Sequence, residues 1–179
     1  MNGVSGVYGQ ALYDLAKDEE LAEGIGAELV EIRKILLGNP DFMRLISSPG
    51  IPKAERLGVI DEAFRSSVHP YTLNFMKILT EKGYMHTFPA CCDVYRNSYN
   101  ADHNILPVTA TTALPLNELQ AAKLRRRLSA ITGRQIELEN RIDPACMGGV
   151  RLDYDGKRVD DTVAGRIERL HSMLKNTAL

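Results

Sequence analysis

Asp143, Asp153, Asp155, Asp160 and Asp161 fall within one short stretch. Carboxylates that close in sequence could hold a cation or share acid–base work. Their spacing instead matches turns and a helix N-terminus, where aspartate is favoured because it accepts backbone N–H groups, and no nearby His or Glu completes a site. Gly148-Gly149 could suggest a phosphate loop, but the downstream Lys-Ser/Thr and helix of a P-loop are missing. Glycine's tolerance of positive φ, needed where a chain bends into a strand, is the better reason for the pair. Cys91, Cys92, His86 and His103 are a conceivable metal set, but no Cys-x-x-Cys or His-x-x-x-His spacing supports it. Arg125-Arg126-Arg127 fan about 100° apart on a helix, so they make no single stripe. They read as a solvated face, or at most a contact for an acidic partner. No Ser-His-Asp, Cys-His or Gly-rich cofactor pattern appears, and no catalytic residue, cofactor or metal is expected.

The chain has 179 residues, 44% of them hydrophobic and 25% charged, an ordinary composition for one large folded domain or two small ones. A net charge of -1 argues against a nucleic-acid binder, whose surface would be basic. No apolar run approaches the ~18 residues that span a bilayer. The opening Met1-Asn2-Gly3-Val4-Ser5-Gly6 lacks a basic-then-apolar secretory pattern. Three cysteines, two of them adjacent, form no disulfide framework and fit a reducing compartment. A bacterial cytoplasm is the simplest setting.

The elements that would position these residues fall into two halves of different period. The first hundred residues carry helical stripes: Tyr8, Ala11, Leu12 and Leu15; Leu21, Ile25, Leu29, Ile32 and Leu36; Phe42, Leu45 and Ile46; Leu57, Ile60 and Phe64; Thr72, Phe75, Met76 and Leu79; Met85, Phe88, Cys92, Tyr95 and Tyr99. Gly38-Asn39-Pro40, Ser47-Ser48-Pro49-Gly50 and Lys82-Gly83 interrupt them, Pro52 suits the first turn of the fourth helix, and Pro89 lies near the start of the sixth or kinks it. Short helices with one apolar stripe each must pack on one another, so residues 1–104 are expected to form an all-α bundle of about six helices.

Asn100 to Asn104 is polar and aperiodic and reads as the linker. Beyond it the period becomes two. Leu106, Val108 and Ala110 alternate on a strand. Asn117 and Gln120 make a capping box for a helix burying Ala121, Leu124, Leu128 and Ile131, and Gly133 ends it. Ile136, Leu138 and Ile142, then Val150, Leu152 and Tyr154, mark two more strands. Asp155-Gly156 is a hairpin turn. Asp160 or Asp161 caps a last helix carrying Val163, Ile167, Leu170 and Leu174. Residues 105–179 are therefore expected to form a small α/β domain with a mixed sheet, making the whole chain α+β.

Five pieces of the chain, in order, are similar to one family. They are Tyr8 to Ala16; Phe42 to Pro49 with Ile51 and Lys53; Asn74 to Leu79; Val108 to Leu116; and Ile142 to Asp161 with Arg166, Leu170 and Leu174. Together they resemble the delta subunit of rotary ATP synthase, relative of the mitochondrial oligomycin-sensitivity-conferring protein. There are two departures: Tyr84 stands where the family commonly has Arg after the glycine, and Thr162 replaces a usual Ser. The resemblance implies a stator connector, not an enzyme. Its helical domain would hold N-terminal segments of the alpha subunits in a groove between the first and fifth helices, at Tyr8, Ala11, Leu12, Phe75 and Ile78. Its C-terminal domain would meet the peripheral stalk b subunits, with Asp143, Gly148, Gly149 and Asp160 as its structural signature. It implies a peripheral location on the cytoplasmic face of the bacterial membrane, with no direct membrane or nucleic-acid contact. On periodicity alone Tyr8, Ala11 and Leu12 read as bundle core, since an apolar stripe is usually core, and the other class consistent with the composition is a small cytosolic enzyme or nucleotide-binding protein with a helical regulatory domain.

Overall fold

The computed structural model describes residues 3–167, which divide into two compact units at Tyr99 and Asn100. The first contains α1 (Val4–Asp18), α2 (Ala22–Gly38), α3 (Pro40–Ser47), α4 (Lys53–Phe64), α5 (Pro70–Glu81), a single 3-10 turn (Met85–Thr87) and all but the last turn of α6 (Phe88–Asp102). Its core runs through all six helices, from Leu12, Tyr13 and Ala16 through Ile25, Leu29, Ile32 and Leu36 to Met76, Leu79, Phe88 and Tyr95.

The α2 stripe is buried as its period requires, Ile25, Leu29, Ile32 and Leu36 all facing inward. In α1 the buried face is Gly9, Leu12, Tyr13 and Ala16, rotated from the expected stripe. A Cβ on Gly9 would stand 2.6 Å from the Cys91 carbonyl oxygen and 2.8 Å from Val94 Cβ, so the missing side chain is what lets α1 press against α6. Tyr13 and Tyr95 lock this contact edge to face at 5.3 Å, and the Tyr95 hydroxyl donates to the Ala22 carbonyl at 2.8 Å. Leu45, expected inside, is 36% exposed. Pro52 sits one residue before α4, and the Met85 turn separates Gly83 from a sixth helix that begins at Phe88 with Pro89 in its first turn.

Two polar devices fix α5. Glu28, on α2, accepts from the His69 backbone N–H at 2.9 Å and from the Thr72 hydroxyl at 2.5 Å, capping the N-terminus of α5 from a neighbouring helix. At its other end, Arg56 donates to the carbonyls of Ile46, Ile51 and Thr80, tying the ends of α3 and α5 to the loop between α3 and α4.

The expected linker is largely helical: α6 runs to Asp102, with Asn100 buried, and Asn104 at φ 53 turns the chain straight into a strand. Asparagine tolerates that left-handed conformation better than most residues. The second unit has the sheet order β2-β1-β3-β4. β1 (Ile105–Thr112) pairs parallel with β2 (Gln135–Ile142) through the crossover helix α7 (Glu118–Thr132), and antiparallel with β3 (Val150–Tyr154). β3 turns through Asp155-Gly156 into β4 (Lys157–Asp160). Pro107 lies where β3 does not reach, since β3 pairs only with Thr109 to Thr112. The Asn117–Gln120 capping box and the left-handed Gly133 bound α7. Leu106, Val108, Leu128 and Ile136 form the core, with Leu124, Leu138, Leu152 and Tyr154 against it. Ile131 and Ile142 do not join them: they are 81% and 56% exposed. On the β2 face that carries Ile136 and Leu138, the exposed Asn140 donates its amide to the Ala110 carbonyl and Thr112 hydroxyl while its oxygen accepts from the Leu116 N–H.

Candidate functional site

Because Gly9 and Tyr13 hold one face of α1 against α6, the opposite face is turned outward. Val7 is 70% exposed and Leu15 40%, with exposed Ala11 between them at helical spacing. Tyr8 flanks this strip, half-buried, its ring 6.2 Å from that of Tyr84. Tyr84 therefore extends the apolar surface beside Tyr8. On α5, Ile78 is half-buried, while Phe75 is buried with its ring 6.1 Å from Phe88. Of the five groove residues, Leu12 and Phe75 are thus core, and Tyr8, Ala11 and Ile78 reach the surface. Val7 was legible as part of the strip, being four residues before Ala11.

The C-terminal signature is a built corner. Asp143 accepts from the Ala145 N–H at 3.0 Å and donates its own N–H to the Thr112 carbonyl. Met147, Gly148 and Gly149 then run through φ values of 60, 152 and 80, three positive values in succession that L side chains resist. The bend brings the Gly148 carbonyl onto the Val163 N–H at 3.0 Å. A Cβ on Gly149 would collide with the Asp161 backbone oxygen. Asp160 Oδ1 accepts from both the N–H (2.9 Å) and the hydroxyl (2.7 Å) of Thr162, whose oxygen in turn accepts from the Gly165 N–H. The helix cap is therefore Thr162, with Asp160 orienting it. Arg166 clamps Asp161 with two nitrogens. Leu170 and Leu174 lie outside the described residues.

These groups bind backbone, which leaves little for a reaction. Asp153 is paired with Arg158 across the β3–β4 pair and with Arg151 two residues along its own strand, and Asp155 with Arg134. Burial pushes the Cys91 thiol up and the Cys92 thiol up to about 12, so neither is a ready thiolate nucleophile. Among the described residues no three His, Cys, Asp or Glu side chains gather to hold a metal, and no helix is long and apolar enough to cross a membrane. A shallow depression lined by Arg65, Val68, Leu73 and Lys77 gathers no such groups.

A helical unit with an outward apolar strip, joined to a mixed-sheet unit with a hydrogen-bonded corner, has the build of a connector subunit. The chain belongs to the ATP synthase delta (OSCP) subunit family, whose sequence profile matches residues 4–174. It is 32% identical over 168 residues to ATP synthase subunit delta of Moorella thermoacetica, covering 94% of each chain. It is 31% identical over 171 residues to that of Lactobacillus delbrueckii subsp. bulgaricus, covering 93% of each. The fold is also that of a chain in the Toxoplasma gondii mitochondrial ATP synthase hexamer, with a TM-score of 0.73 at 20% identity, over 97% of this chain and 98% of that one. The protein is a non-catalytic connector subunit of the rotary ATP synthase stator.

Proposed function

We propose that the two halves hold different partners. Residues 1–104 take N-terminal segments of the alpha subunits, and residues 105–179 take the end of the peripheral stalk b subunits. The protein would thus lie peripherally on the cytoplasmic face of a bacterial membrane. Rotation of the central stalk exerts torque on the catalytic head, and a subunit gripping head and stalk keeps the head from turning with it. The observation that carries this reading is the outward strip of Val7, Ala11 and Leu15 beside Tyr8 and Tyr84. An amphipathic helix laid on such a strip buries its own apolar face there. The family resemblance supports the same location.

The test is titration calorimetry of a peptide matching the N-terminus of the cognate alpha subunit. Ala11→Asp places an unpaired charge in the contact and should weaken binding by a few kcal/mol, on the order of the cost of burying an uncompensated polar group. Ala11 is exposed, so the variant should fold as wild type does. Unchanged binding would remove α1 from the site.

A further inference from the structure

The outward face of α7 carries cations that meet no carboxylate among the described residues: Lys123, Arg126 and Arg127, all exposed. Elsewhere in the same unit Arg134, Arg141, Arg151, Arg158 and Arg166 each meet an aspartate or glutamate. The contrast follows from position. The paired arginines lie on the sheet or beside a helix start, where carboxylates alternate with them, while α7 has Glu118 alone, at its first turn. Helical geometry gathers Leu119, Ala122, Lys123, Arg126, Arg127 and Ala130 on one side, opposite the inward Leu124 and Leu128. Arg125 turns away from that side, its Nε donating to the Ala121 carbonyl.

We propose that this face is the seat of an acidic helical segment of the peripheral stalk, an inference that rests on the stalk-binding reading of the second unit. Three cations that meet no carboxylate among the described residues favour a partner of opposite charge. Ala122 and Ala130, one turn to either side of Arg126, leave room for a second helix at the usual axial separation of about 8–10 Å. Leu119 supplies an apolar contact at one end. Carboxylates at i and i+4 or i+3 of the incoming helix would meet Lys123, Arg126 and Arg127 in turn. A nucleic acid would meet a chain of net charge -1, and a bilayer would find one large apolar side chain on the face. Both are poorer matches than an acidic helix.

The experiment titrates the full chain with the soluble C-terminal segment of the cognate b subunit at several salt concentrations. The variant K123E/R126E/R127E should bind at least ~10-fold more weakly at low salt and lose most of the salt dependence. Ala130→Trp, which changes bulk without charge, should also weaken binding. Circular dichroism confirms that both variants keep the fold. A triple variant that binds as wild type does, with the same salt dependence, overturns the α7 seat while the stalk reading stands. Wild-type protein that fails to bind the b segment overturns the stalk reading and this occupant with it. If wild type binds anionic vesicles or RNA, the triple variant loses that binding, and binding of the b segment is unaffected, the face serves lipid or nucleic acid and the proposal fails.

Discussion

Asp160 and Gly165 share one volume: Asp160 Oδ1 lies 2.7 Å from where a Cβ on Gly165 would stand. The carboxylate cannot retreat without releasing the N–H and hydroxyl of Thr162. Gly→Ala inside a helix ordinarily stabilises by roughly 0.5–1 kcal/mol. Here Gly165→Ala should instead destabilise the second unit by about 1 kcal/mol, the worth of a helix cap. In an Asp160→Ala background the same change should become neutral or stabilising. Chemical denaturation of the four proteins in this double-mutant cycle decides it, and additive effects would refute the shared volume.

Gly149→Val meets two obstacles at once, a positive φ and the Asp161 backbone oxygen. The expected cost is about 2–4 kcal/mol, the sum of a strained backbone and a forced shift. The second unit should loosen and its association with the stalk weaken, while binding of the alpha peptide persists. In membranes, ATP hydrolysis should continue on a head that is shed at low salt, with proton pumping lost. A folded variant that keeps the stalk would show that the corner is dispensable.

The core of the first unit is drawn from its own helices, so a fragment of residues 1–104 should fold alone. Circular dichroism should show a helix-rich spectrum and one cooperative melt. A disordered fragment would mean that the two units fold only together.

Acidification should act on the bundle through Asp61. Hydrogen bonding from Lys77 is the largest influence holding its carboxyl below the ordinary value of 3.8, with Arg65 adding to it. A carboxyl lowered in the folded state contributes stability that is fully present above its unfolded value and is lost as pH falls through the lower folded one. Wild type should therefore exceed Lys77→Gln in stability at pH 7, and the gap should begin to narrow below about pH 4 and close only once pH passes the lower folded value. Urea midpoints at the two pH values measure this. An equal gap at both would mean that Lys77 acts by packing alone.

Much of the architecture was legible because it depends on apolar period and turn chemistry, which are local. The α2 stripe, the Asn117–Gln120 box, Gly133 and the Asp155-Gly156 turn all stand as read. The inward face of α1 was misread because Gly9 and Ala16 are buried for their smallness, and hydrophobic periodicity weighs size hardly at all. Ile131 and Ile142 looked like core because their spacing was right, but spacing does not reveal where an edge strand or a helix end runs out of neighbours. The role of Asn140 was invisible for the converse reason, since its hydrogen-bond partners Ala110, Thr112 and Leu116 are distant in sequence. At the candidate site, Ala11 and Tyr8 were named through the family resemblance, since their period alone reads as bundle core. That Leu12 and Phe75 point the other way required the helix–helix contacts.

The three thiols have a consequence of a different kind. Cys91 and Cys92 are sealed inside the helical unit and Cys146 inside the sheet unit, each under a tenth exposed. A thiol reagent reaches them only when the surrounding structure opens, so the native chain carries its own timers. The rate at which Cys91 and Cys92 are labelled reports breathing of the half proposed to grip the head. The rate at Cys146 reports breathing of the half proposed to grip the stalk. Labelling followed by mass spectrometry on the assembled motor, idle and turning, would show which half yields first under load.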